Sequence, residues 1–378
     1  MKILLVRGPV IIIVYGECNI LGVKVKDQKI FWNSTKILPI EKRDNTKVRF
    51  IGNQYVLYGS FSNNAGLGMA IWEDTLRQIM NLKYKTIVII GASDSGKSTF
   101  SLYLANKFIE DNLRPYVLDA DVGQGDLAPP TCIGSAILMD QKIDLSMTKA
   151  DHISFIGDIQ PGNNEFRIVR CISKLISKSK CHDICIVNTD GYMHGNGLYY
   201  KLKLIQKIKP DCIVCLGNND IYKILKKYSK ESINWKSNII NGRKPNPIIK
   251  RSRQLRSQKR LNTFLRFVNL KESEPFQIHL NNVKSIYYQN RFYLNEYSLK
   301  SSFTLNNFRH FLIKSAKYNL LNNLFIGLGF SKERDIVYGF GLVKNFENDI
   351  LTVLTTCKKF DSIYMSDIRL DYPTKTLQ

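Results

Sequence analysis

Nine consecutive residues form the strongest chemical motif of the chain. They are Gly91, Ala92, Ser93, Asp94, Ser95, Gly96, Lys97, Ser98 and Thr99. Gly, four residues and then Gly-Lys-Ser is the P-loop pattern, in which a tight backbone turn lines an anion site with N–H groups. In this pattern Lys97 bridges the β- and γ-phosphates and the Ser98 hydroxyl binds Mg²⁺. The motif predicts a nucleoside triphosphate site with Mg²⁺.

The residues around this motif have the spacing that it needs. An apolar run at 86–90 predicts a strand before the loop, and helical spacing predicts a helix over 97–111 after it. That helix directs the positive end of its dipole at the phosphates. The guanine-reading pattern Asn-Lys-x-Asp is absent from the candidate positions 188–191 and 218–220, which read Asn-Thr-Asp-Gly and Asn-Asn-Asp. The site is therefore predicted to take ATP, or to select bases loosely.

Two carboxylates follow the next apolar run. Asp119 and Asp121 end the run that begins at Pro115, and a spacing of two places both on one side of a strand. One carboxylate beside a P-loop can hold Mg²⁺, and a second can take the proton of an attacking hydroxyl. The alternative is one Mg²⁺-linked acid and one helix N-cap. Gln124 lies between two glycines and can orient an attacking group or a phosphate.

The charge balance favours a polyanionic partner. The 378 residues carry a formal net charge of +23, and the pI is near 9.6. This surplus points to nucleic acid first and to an acidic membrane surface second, although a lysine-rich proteome would produce the same composition. No uncharged stretch reaches the roughly 18 residues that a membrane span needs, so a soluble intracellular protein without a membrane partner is expected.

The eight cysteines are scattered along the chain. The pairs Cys181–Cys185 and Cys212–Cys215 have spacings that suggest a metal site, but both lie at or in apolar runs that predict strands. Residues three apart on a strand point to opposite faces, so Cys212 and Cys215 would not converge on one ion. Buried free thiols are the expected state, and this number of them suits a reducing compartment.

Three regions of the chain differ in pattern. Residues 1–80 contain short β-branched runs separated by glycine turns, which predicts an N-terminal β domain. Residues 81–269 alternate apolar runs with helical stretches, which predicts a parallel sheet with crossover helices. Short strands return over 270–378, which predicts a C-terminal β-rich domain. The predicted fold class is α/β, with a central P-loop domain between two β-rich flanks.

Three further segments complete a pattern with the P-loop. Residues 119–125 read Asp-Ala-Asp-Val-Gly-Gln-Gly, residues 157–164 read Gly-Asp-Ile-Gln-Pro-Gly-Asn-Asn, and residues 186–195 read Ile-Val-Asn-Thr-Asp-Gly-Tyr-Met-His-Gly. Together with the P-loop they resemble the polynucleotide 5′-hydroxyl kinase family of pre-mRNA 3′-end cleavage, tRNA splicing and pre-rRNA processing, which has archaeal members. The resemblance covers about residues 86–268 and is weaker in both flanks. It implies transfer of the γ-phosphate of ATP to the 5′-hydroxyl end of RNA, with DNA left open.

The resemblance implies roles on the donor side of the reaction. Lys97 and Ser98 keep the roles that the P-loop pattern gives them. Asp94 stands where the family has a residue that contacts Lys97 and the phosphates. Glu17 stands where the N-terminal β domain of the family reaches the adenine, and a glutamate in a turn is the alternative for this short match.

The resemblance also implies roles on the acceptor side. Asp121 would act as general base toward the 5′-hydroxyl, with Asp119 supporting the metal shell. Apart from the resemblance, Gln124 is a candidate contact to the acceptor strand. Tyr192 stands where relatives often have Trp, and would stack on the terminal base. The alternative for Tyr192 is a core aromatic residue. Gln160 stands where many relatives have Thr near the reacting end.

A basic segment over 250–268 matches the arginine-bearing lid of the family. Arg251, Arg256 and Arg260 have the spacing of the lid, and the last two are four residues apart, on one helix face. Such arginines neutralise charge on a γ-phosphoryl group in transfer. The alternative is a solvated helix face or general contacts with an RNA backbone.

Two other functions remain open at this stage. One is an ATP-bound, non-catalytic scaffold in an RNA-processing complex. Loss of key residues from the P-loop, the acidic pair or the lid would indicate a scaffold. All three segments keep those residues. The other is a small-molecule kinase or a GTPase-like switch, which the net charge and the missing guanine motif disfavour. Protein partners in RNA processing are expected. The compact length favours an archaeal-type, cytoplasmic member, and a eukaryotic member would be nuclear.

Overall fold

The computed structural model describes residues 2–62, 69–179, 182–231, 236–245, 249–294 and 305–370. The chain folds into two compact units. The first unit comprises Met1–Asp119, Ala136–Lys149 and Ile176–Arg256. The second unit comprises Ala120–Ser135, Ala150–Leu175 and Ser257–Gln378. The three predicted domains, 1–80, 81–269 and 270–378, are not tested by this division and stay a prediction.

The elements before residue 180 include twelve strands and three helices among the described residues. They are β1 (Lys2–Arg7), β2 (Val10–Tyr15), β3 (Glu17–Ile20), β4 (Val23–Lys26), β5 (Lys29–Trp32), β6 (Ile37–Lys42), β7 (Lys47–Ile51), β8 (Val56–Ser62), α1 (Glu73–Asn81), β9 (Thr86–Ile90), α2 (Lys97–Glu110), β10 (Pro115–Ala120), β11 (Cys132–Ile137), β12 (His152–Phe155) and α3 (Glu165–Lys178).

The later elements continue the numbering. They are β13 (Ile184–Thr189), α4 (Gly197–Ile208), β14 (Cys212–Leu216), α5 (Asn219–Glu231), β15 (Asn238–Gly242), α6 (Arg253–Val268), β16 (Glu274–His279), β17 (Ser285–Tyr288), β18 (Arg291–Leu294), α7 (Leu305–Lys317), β19 (Leu324–Gly329), β20 (Ile336–Glu347), β21 (Ile350–Thr355) and β22 (Ser362–Arg369).

The strands before the P-loop form two antiparallel sheets in the first unit. One has the order β4-β3-β6-β1-β8, and the other has the order β5-β2-β7. Along β2, buried residues alternate with more exposed ones, which is the period of a strand with one face in a core. The β-rich pattern that the sequence indicates at the N-terminus is therefore present in the structure.

The P-loop follows the third strand of a parallel set in the first unit. The order of this set is β15-β14-β9-β13, with β9 paired in parallel to both β13 and β14, and β10 lies next to β13. Ile87, Val88, Ile89 and Ile90 of β9 have no exposed surface. Such uniform burial is expected where helices cover both faces of a parallel sheet. The carboxyl ends of these strands share one edge, where ligands of α/β folds bind.

The second unit is built mainly from antiparallel strands. Its strand order is β11-β12-β20-β19-β22-β17-β18, and β21 pairs with β20 and β16. An aromatic core lies beneath these strands, in which the rings of Phe155, Phe325 and Phe340 stack in sequence. Phe264 of α6 packs edge-on against Phe325 at 4.7 Å between centroids. The predicted α/β class with β-rich flanks is confirmed.

Two regions differ from the sequence-based expectation. The sequence pattern predicts only loops between β10 and β13, but β11, β12 and α3 lie there. The pattern after residue 272 predicts short strands alone, but α7 is also present. In both helices the buried apolar residues have helical spacing, Ile168, Ile172 and Leu175 in α3 and Phe308 and Leu312 in α7, so a local signal was present in the sequence.

The described cysteines are free thiols, and all except Cys357 are buried. Burial raises the pKa of the Cys212 and Cys215 thiols to about 12. Cys181 lies outside the described residues. Within the described parts of the chain, no helix is long and apolar enough to span a membrane.

Candidate functional site

The P-loop has the backbone geometry of an anion site. Asp94 and Gly96 have positive φ angles of 60° and 93°, which let the chain turn back on itself before α2. Gly96 is the N-cap of α2 and has no side-chain cap, so the N–H groups of the first helical turn have no side-chain cap acceptor. The Ser95 hydroxyl oxygen is buried and has no hydrogen-bond partner among the described residues. These groups fit phosphate oxygens.

Lys97 is held within the loop. Its side chain is largely buried, and its Nζ donates to the carbonyl oxygen of Ala92 at 2.8 Å. Gly91 is required at the start of the loop, because a Cβ atom there would lie 2.6 Å from the carbonyl oxygen of Leu216. The close approach of β14 therefore fixes where the loop begins.

A polar corner lies beside the first turn of α2. Asp119, at the end of β10, is 2% exposed. The Asn188 amide donates to Asp119 Oδ1 at 3.0 Å and to Ser98 Oγ at 3.2 Å, which joins β10, β13 and α2. The Asn188 Oδ1 atom is buried and has no hydrogen-bond partner in the described residues. Carboxylate, hydroxyl and amide oxygens are the ligands that Mg²⁺ prefers, directly or through water.

This corner fits Mg²⁺ better than a metal that needs a full protein cage. Among the described residues, no group of three or more His, Cys, Asp or Glu side chains is arranged to hold a metal ion. Mg²⁺ keeps several waters and binds with one or two protein ligands plus substrate phosphates. Ser98 and Asp119 are therefore suitable ligands, and the open oxygen of Asn188 suits a water of the metal shell.

Asp94 binds two arginines of the predicted lid. Its Oδ1 pairs with Arg251 Nε at 3.0 Å, and its Oδ2 pairs with Arg256 Nη2. The Asp94 side chain is 8% exposed, and the two arginine side chains are 26% and 27% exposed. Arg251 precedes α6 and Arg256 lies in its first turn, so both are anchored on the P-loop. The contact from Asp94 to Lys97 that the resemblance implies stays a prediction.

Asp190 anchors the turn that carries Tyr192. Its Oδ1 accepts the Tyr192 backbone N–H at 2.8 Å, and its Oδ2 accepts the Tyr200 hydroxyl at 2.9 Å. Lys201, with no exposed surface, pairs with Asp190 Oδ1 at 2.9 Å. A Cβ on Gly191 would lie 2.7 Å from the backbone nitrogen of Ser93, so this turn packs directly against the P-loop. Tyr192 itself is half-buried.

Tyr200 and Lys201 are site-supporting residues that the sequence reasoning missed. Lys201 shares a buried face of α4 with Leu204 and Ile205. The sequence offered one signal for Lys201: a lysine within an apolar helical face needs a buried carboxylate as its partner. The partner, Asp190, lies in one of the motif segments.

Asp121 caps a turn in the second unit. Its Oδ1 accepts the backbone N–H groups of Gly123 at 3.1 Å and Gln124 at 2.9 Å. No helix follows, so the alternative of a helix N-cap does not apply. The Gln124 carbonyl oxygen accepts from Lys259 Nζ at 2.5 Å, and Lys259 also pairs with Asp126 at 2.8 Å. The turn is thereby fixed to α6.

The second unit also brings Gln160 next to this turn. A Cβ on Gly123 would lie 2.6 Å from the Ile159 carbonyl oxygen, so the 121–125 and 157–164 segments are in contact. The Gln160 side chain is exposed, and its backbone N–H donates to Asp158. Arg260 lies one turn along α6 from Arg256. Glu17 is exposed at the start of β3, and its role toward adenine stays a prediction.

These features define a P-loop nucleotide-binding protein with a basic segment closed on the loop. Residues 91–269 match the family model described as the mRNA cleavage and polyadenylation factor CLP1 P-loop. The resemblance that the motifs predict is therefore confirmed over this range of the chain.

Curated relatives agree with this assignment. A polyribonucleotide 5′-hydroxyl-kinase of Pyrococcus abyssi is 34% identical over 149 residues, which are 39% of this chain and 42% of the relative. The chain thus aligns with less than half of that relative. A polyribonucleotide 5′-hydroxyl-kinase of Methanocaldococcus jannaschii is 26% identical over 322 residues, covering 75% of this chain and 85% of the relative. A CLP1 homolog of Nematostella vectensis is 25% identical, covering 67% and 63%.

The fold extends beyond the matched segment. The solved complex of wild-type Clp1p with Pcf11p residues 454–563 contains a chain similar to this one, with a TM-score of 0.69 at 13% identity. The superposition covers 97% of this chain and 93% of that chain. At this identity the similarity establishes the fold alone.

Proposed function

We propose that this protein transfers the γ-phosphate of ATP to the 5′-hydroxyl end of an RNA strand, with DNA ends left open as acceptors. The observation that carries the proposal is the attachment of Arg251 and Arg256 to Asp94 of the P-loop. A basic segment is thereby held where a triphosphate would bind. The kinase names of the relatives from Pyrococcus abyssi and Methanocaldococcus jannaschii support the same reaction.

The donor side of the site would hold ATP with Mg²⁺. Backbone N–H groups of the loop, the Ser95 hydroxyl and Lys97 would bind the phosphates. Ser98 and Asp119 would hold Mg²⁺, with Asn188 fixing both of their oxygens. Bound Mg²⁺ would neutralise charge on the phosphate oxygens.

The acceptor side would place and activate the hydroxyl. The 5′-hydroxyl oxygen attacks the γ-phosphorus, the bond from that phosphorus to the bridging oxygen of ADP breaks, and the hydroxyl proton passes to the Asp121 carboxylate. Gln124 and Gln160 would contact the strand end. Tyr192 would stack on its terminal base, which is worth about 1–3 kcal/mol per base.

Cationic groups would stabilise the transferring group. Charge in such a transition state is spread over the phosphoryl oxygens, so pre-positioned donors lower the barrier. Lys97 would stay in contact with the γ-phosphate during transfer, and Arg256 and Arg260 of α6 would also contact it. Arg251 would bind the nucleotide. Arg251 and Arg256 pair with Asp94 in this structure, so each would have to leave the Asp94 carboxylate to bind phosphate oxygens.

The cellular setting is part of the proposal. We expect the protein to act in RNA processing with protein partners, in the cytoplasm of an archaeal cell or, in a eukaryote, in the nucleus. The Clp1p–Pcf11p complex shows that a protein with this fold assembles with a partner. An ATP-bound scaffold without turnover is the alternative function.

The decisive experiment is phosphate transfer from γ-labelled ATP to 5′-hydroxyl RNA and DNA oligonucleotides in the presence of Mg²⁺. Labelled strands are expected with the wild-type protein and not with Lys97→Ala or Asp121→Asn. A matched control is Lys83→Ala, which removes an exposed lysine outside the site. If ATP binds but no strand is labelled, the scaffold function replaces the kinase.

A further inference from the structure

Two side chains of α6 hold the turn that carries Asp121. Lys259 Nζ lies 2.8 Å from Asp126 Oδ1 and also donates to the Gln124 carbonyl oxygen at 2.5 Å. Arg266 Nη2 donates to the Asp126 carbonyl oxygen at 2.6 Å. Lys259 and Arg266 are seven residues apart in α6 and therefore lie on one face of the helix. All of these contacts lie within the second unit.

The ion pair between Lys259 and Asp126 is buried. The Lys259 side chain is 11% exposed, and the Asp126 side chain is 5% exposed. A buried ion pair adds little net stability, because the loss of hydration offsets much of the attraction between the charges. It does restrict where its two groups lie, since moving either one leaves a buried charge without a partner. The main effect of this pair is therefore to fix the position of the turn.

The peptide group between Gln124 and Gly125 is bound on both sides. Its carbonyl oxygen accepts from Lys259 Nζ, and its N–H donates to the backbone carbonyl oxygen of Asp121 at 2.8 Å. An ammonium on a carbonyl oxygen polarises the peptide group and strengthens the hydrogen bond that its N–H donates. The N–H of Gln124 donates to the Asp121 carboxylate at 2.9 Å. Lys259 is thus two hydrogen bonds away from that carboxylate, through Gln124.

The helix that supplies Lys259 is itself anchored in the second unit. Phe264 and Val268 of α6 are buried, and both belong to the aromatic core of that unit. The ring of Phe264 packs edge-on against Phe325 of β19. The folded core therefore determines where Lys259 Nζ lies, and through Nζ it determines the geometry of the turn.

We propose that Lys259 is a positioning residue, which orients the Asp121 carboxylate for its reaction with the 5′-hydroxyl. It acts by holding the turn and not by contact with either substrate. This inference rests on the proposed function, because Asp121 serves as the base only if the protein transfers phosphate. Lys259 differs in this role from Arg256 and Arg260 of the same helix, which are proposed to contact the γ-phosphate directly.

The test is steady-state phosphate transfer from γ-labelled ATP to a 5′-hydroxyl RNA oligonucleotide by wild type and by Lys259→Met. The kcat of the variant should fall by about 10- to 100-fold, because misplacing a reacting group by about 1 Å costs up to about 100-fold in rate. KM for ATP should stay unchanged, since Lys259 is not part of the P-loop. Lys259→Arg keeps a cation with hydrogen-bond donors and should recover part of the lost kcat. The control is Lys271→Met, which removes an exposed lysine just beyond α6 and should keep the wild-type kcat.

A second variant separates positioning from stability. Lys259→Met leaves the Asp126 carboxylate buried without its cation, which destabilises the fold. Lys259→Met/Asp126→Leu replaces both charges with apolar side chains, a change that buried ion pairs often tolerate. This double variant should unfold cooperatively on heating and still show the loss of kcat. A folded double variant with the kcat of Lys271→Met would overturn the proposal.

Hydrogen exchange shows whether Lys259 acts through the turn. The amides of residues 123–125 should exchange about tenfold faster in the double variant than in wild type, because the turn loses its anchor on α6. A loss of kcat without faster exchange would contradict action through the turn. If wild type transfers phosphate and the double variant does so equally well, this inference fails while the kinase proposal stands. If wild type transfers no phosphate, the kinase proposal fails and the positioning role falls with it.

Discussion

At the residue scale, the site contains a buried side chain whose hydrogen-bond donors have partners while its acceptor oxygen has none among the described residues. The Asn188 amide nitrogen donates to Ser98 and Asp119, and its Oδ1 atom is buried without a hydrogen-bond partner among the described residues. A buried polar atom without a partner costs about 1–3 kcal/mol. Water or an ion in the loaded site would remove that cost.

Asn188→Ala should therefore raise the Mg²⁺ concentration needed for half-maximal phosphate transfer. Outer-shell partners of metal ligands are typically worth about 10–100-fold in metal affinity, and an effect of about tenfold is expected here. The measurement is a Mg²⁺ titration of transfer at saturating ATP. Asn218→Ala, at the end of another strand, is the control and should leave the Mg²⁺ requirement unchanged. An unchanged requirement in Asn188→Ala would exclude this residue from the metal shell.

Asp94→Asn should strengthen ATP binding while lowering kcat. The substitution removes a negative charge that competes with phosphate oxygens for Arg251 and Arg256. Hydrogen bonds to charged groups are worth about 1.5–3 kcal/mol, so roughly tenfold tighter binding is expected. Both arginines would also lose the anchor that orients them.

The measurement for Asp94→Asn is the Kd of ATP by calorimetry, beside steady-state kinetics. Asp74→Asn removes an exposed carboxylate of α1 and serves as the control. Weaker ATP binding in Asp94→Asn would mean that Asp94 supports the nucleotide rather than competing with it.

At the element scale, α4 holds the 190–192 turn against the P-loop. Lys201→Met should destabilise the protein, because it leaves the Asp190 carboxylate buried without its cation. Breaking a buried ion pair on one side costs about 3–5 kcal/mol. The free energy of unfolding in denaturant is the measurement. Lys207→Met changes an exposed lysine on the same helix and should cost little. Equal losses in the two variants would refute the structural role of this ion pair.

The elements that the sequence predicts well are those with local signals. The strands and helices from β13 to α5 follow apolar runs and helical spacing closely, and the P-loop follows from its motif. The helix α3 was not predicted, although Ile168, Ile172 and Leu175 have helical spacing on its buried face. Arg167 is buried only because it bonds to Phe155 and to Asp335, which is far away in the sequence.

Contacts between residues far apart in the sequence also limit what can be predicted of the site. The motifs predict that Asp94 and the basic segment matter, but they do not predict that one binds the other. The residues are separated by 157 and 162 positions, so only the folded chain shows the ion pairs.

At the scale of the whole molecule, the thiols are predicted to be inert. Burial raises the pKa of Cys132, Cys171, Cys185, Cys212 and Cys215, and a raised pKa keeps a thiol in its unreactive protonated form at neutral pH. Burial also raises the pKa of Cys18 to about 11.

A thiol-reactive chromogenic disulfide should thus modify few cysteines in the native protein and all eight in denaturant. The fast native phase should involve Cys357, which is partly exposed, and at most Cys181 besides it. The amplitude of that phase at pH 8 is the measurement, with the denatured protein as the control. Rapid modification of further thiols would show that the buried strands open readily.

The attachment of two lid arginines to Asp94 has a consequence for selectivity among nucleotides. Under the proposed function, that carboxylate occupies the place of a phosphate group, so ATP binding would exchange one anion for another instead of forming ion pairs from solvated charges. The contribution of these arginines to the free energy of ATP binding would then be the small difference between an arginine–phosphate pair and an arginine–carboxylate pair. A nucleotide without a γ-phosphate cannot complete this exchange, so under the proposed function ADP would leave Asp94 paired with the arginines and would be released.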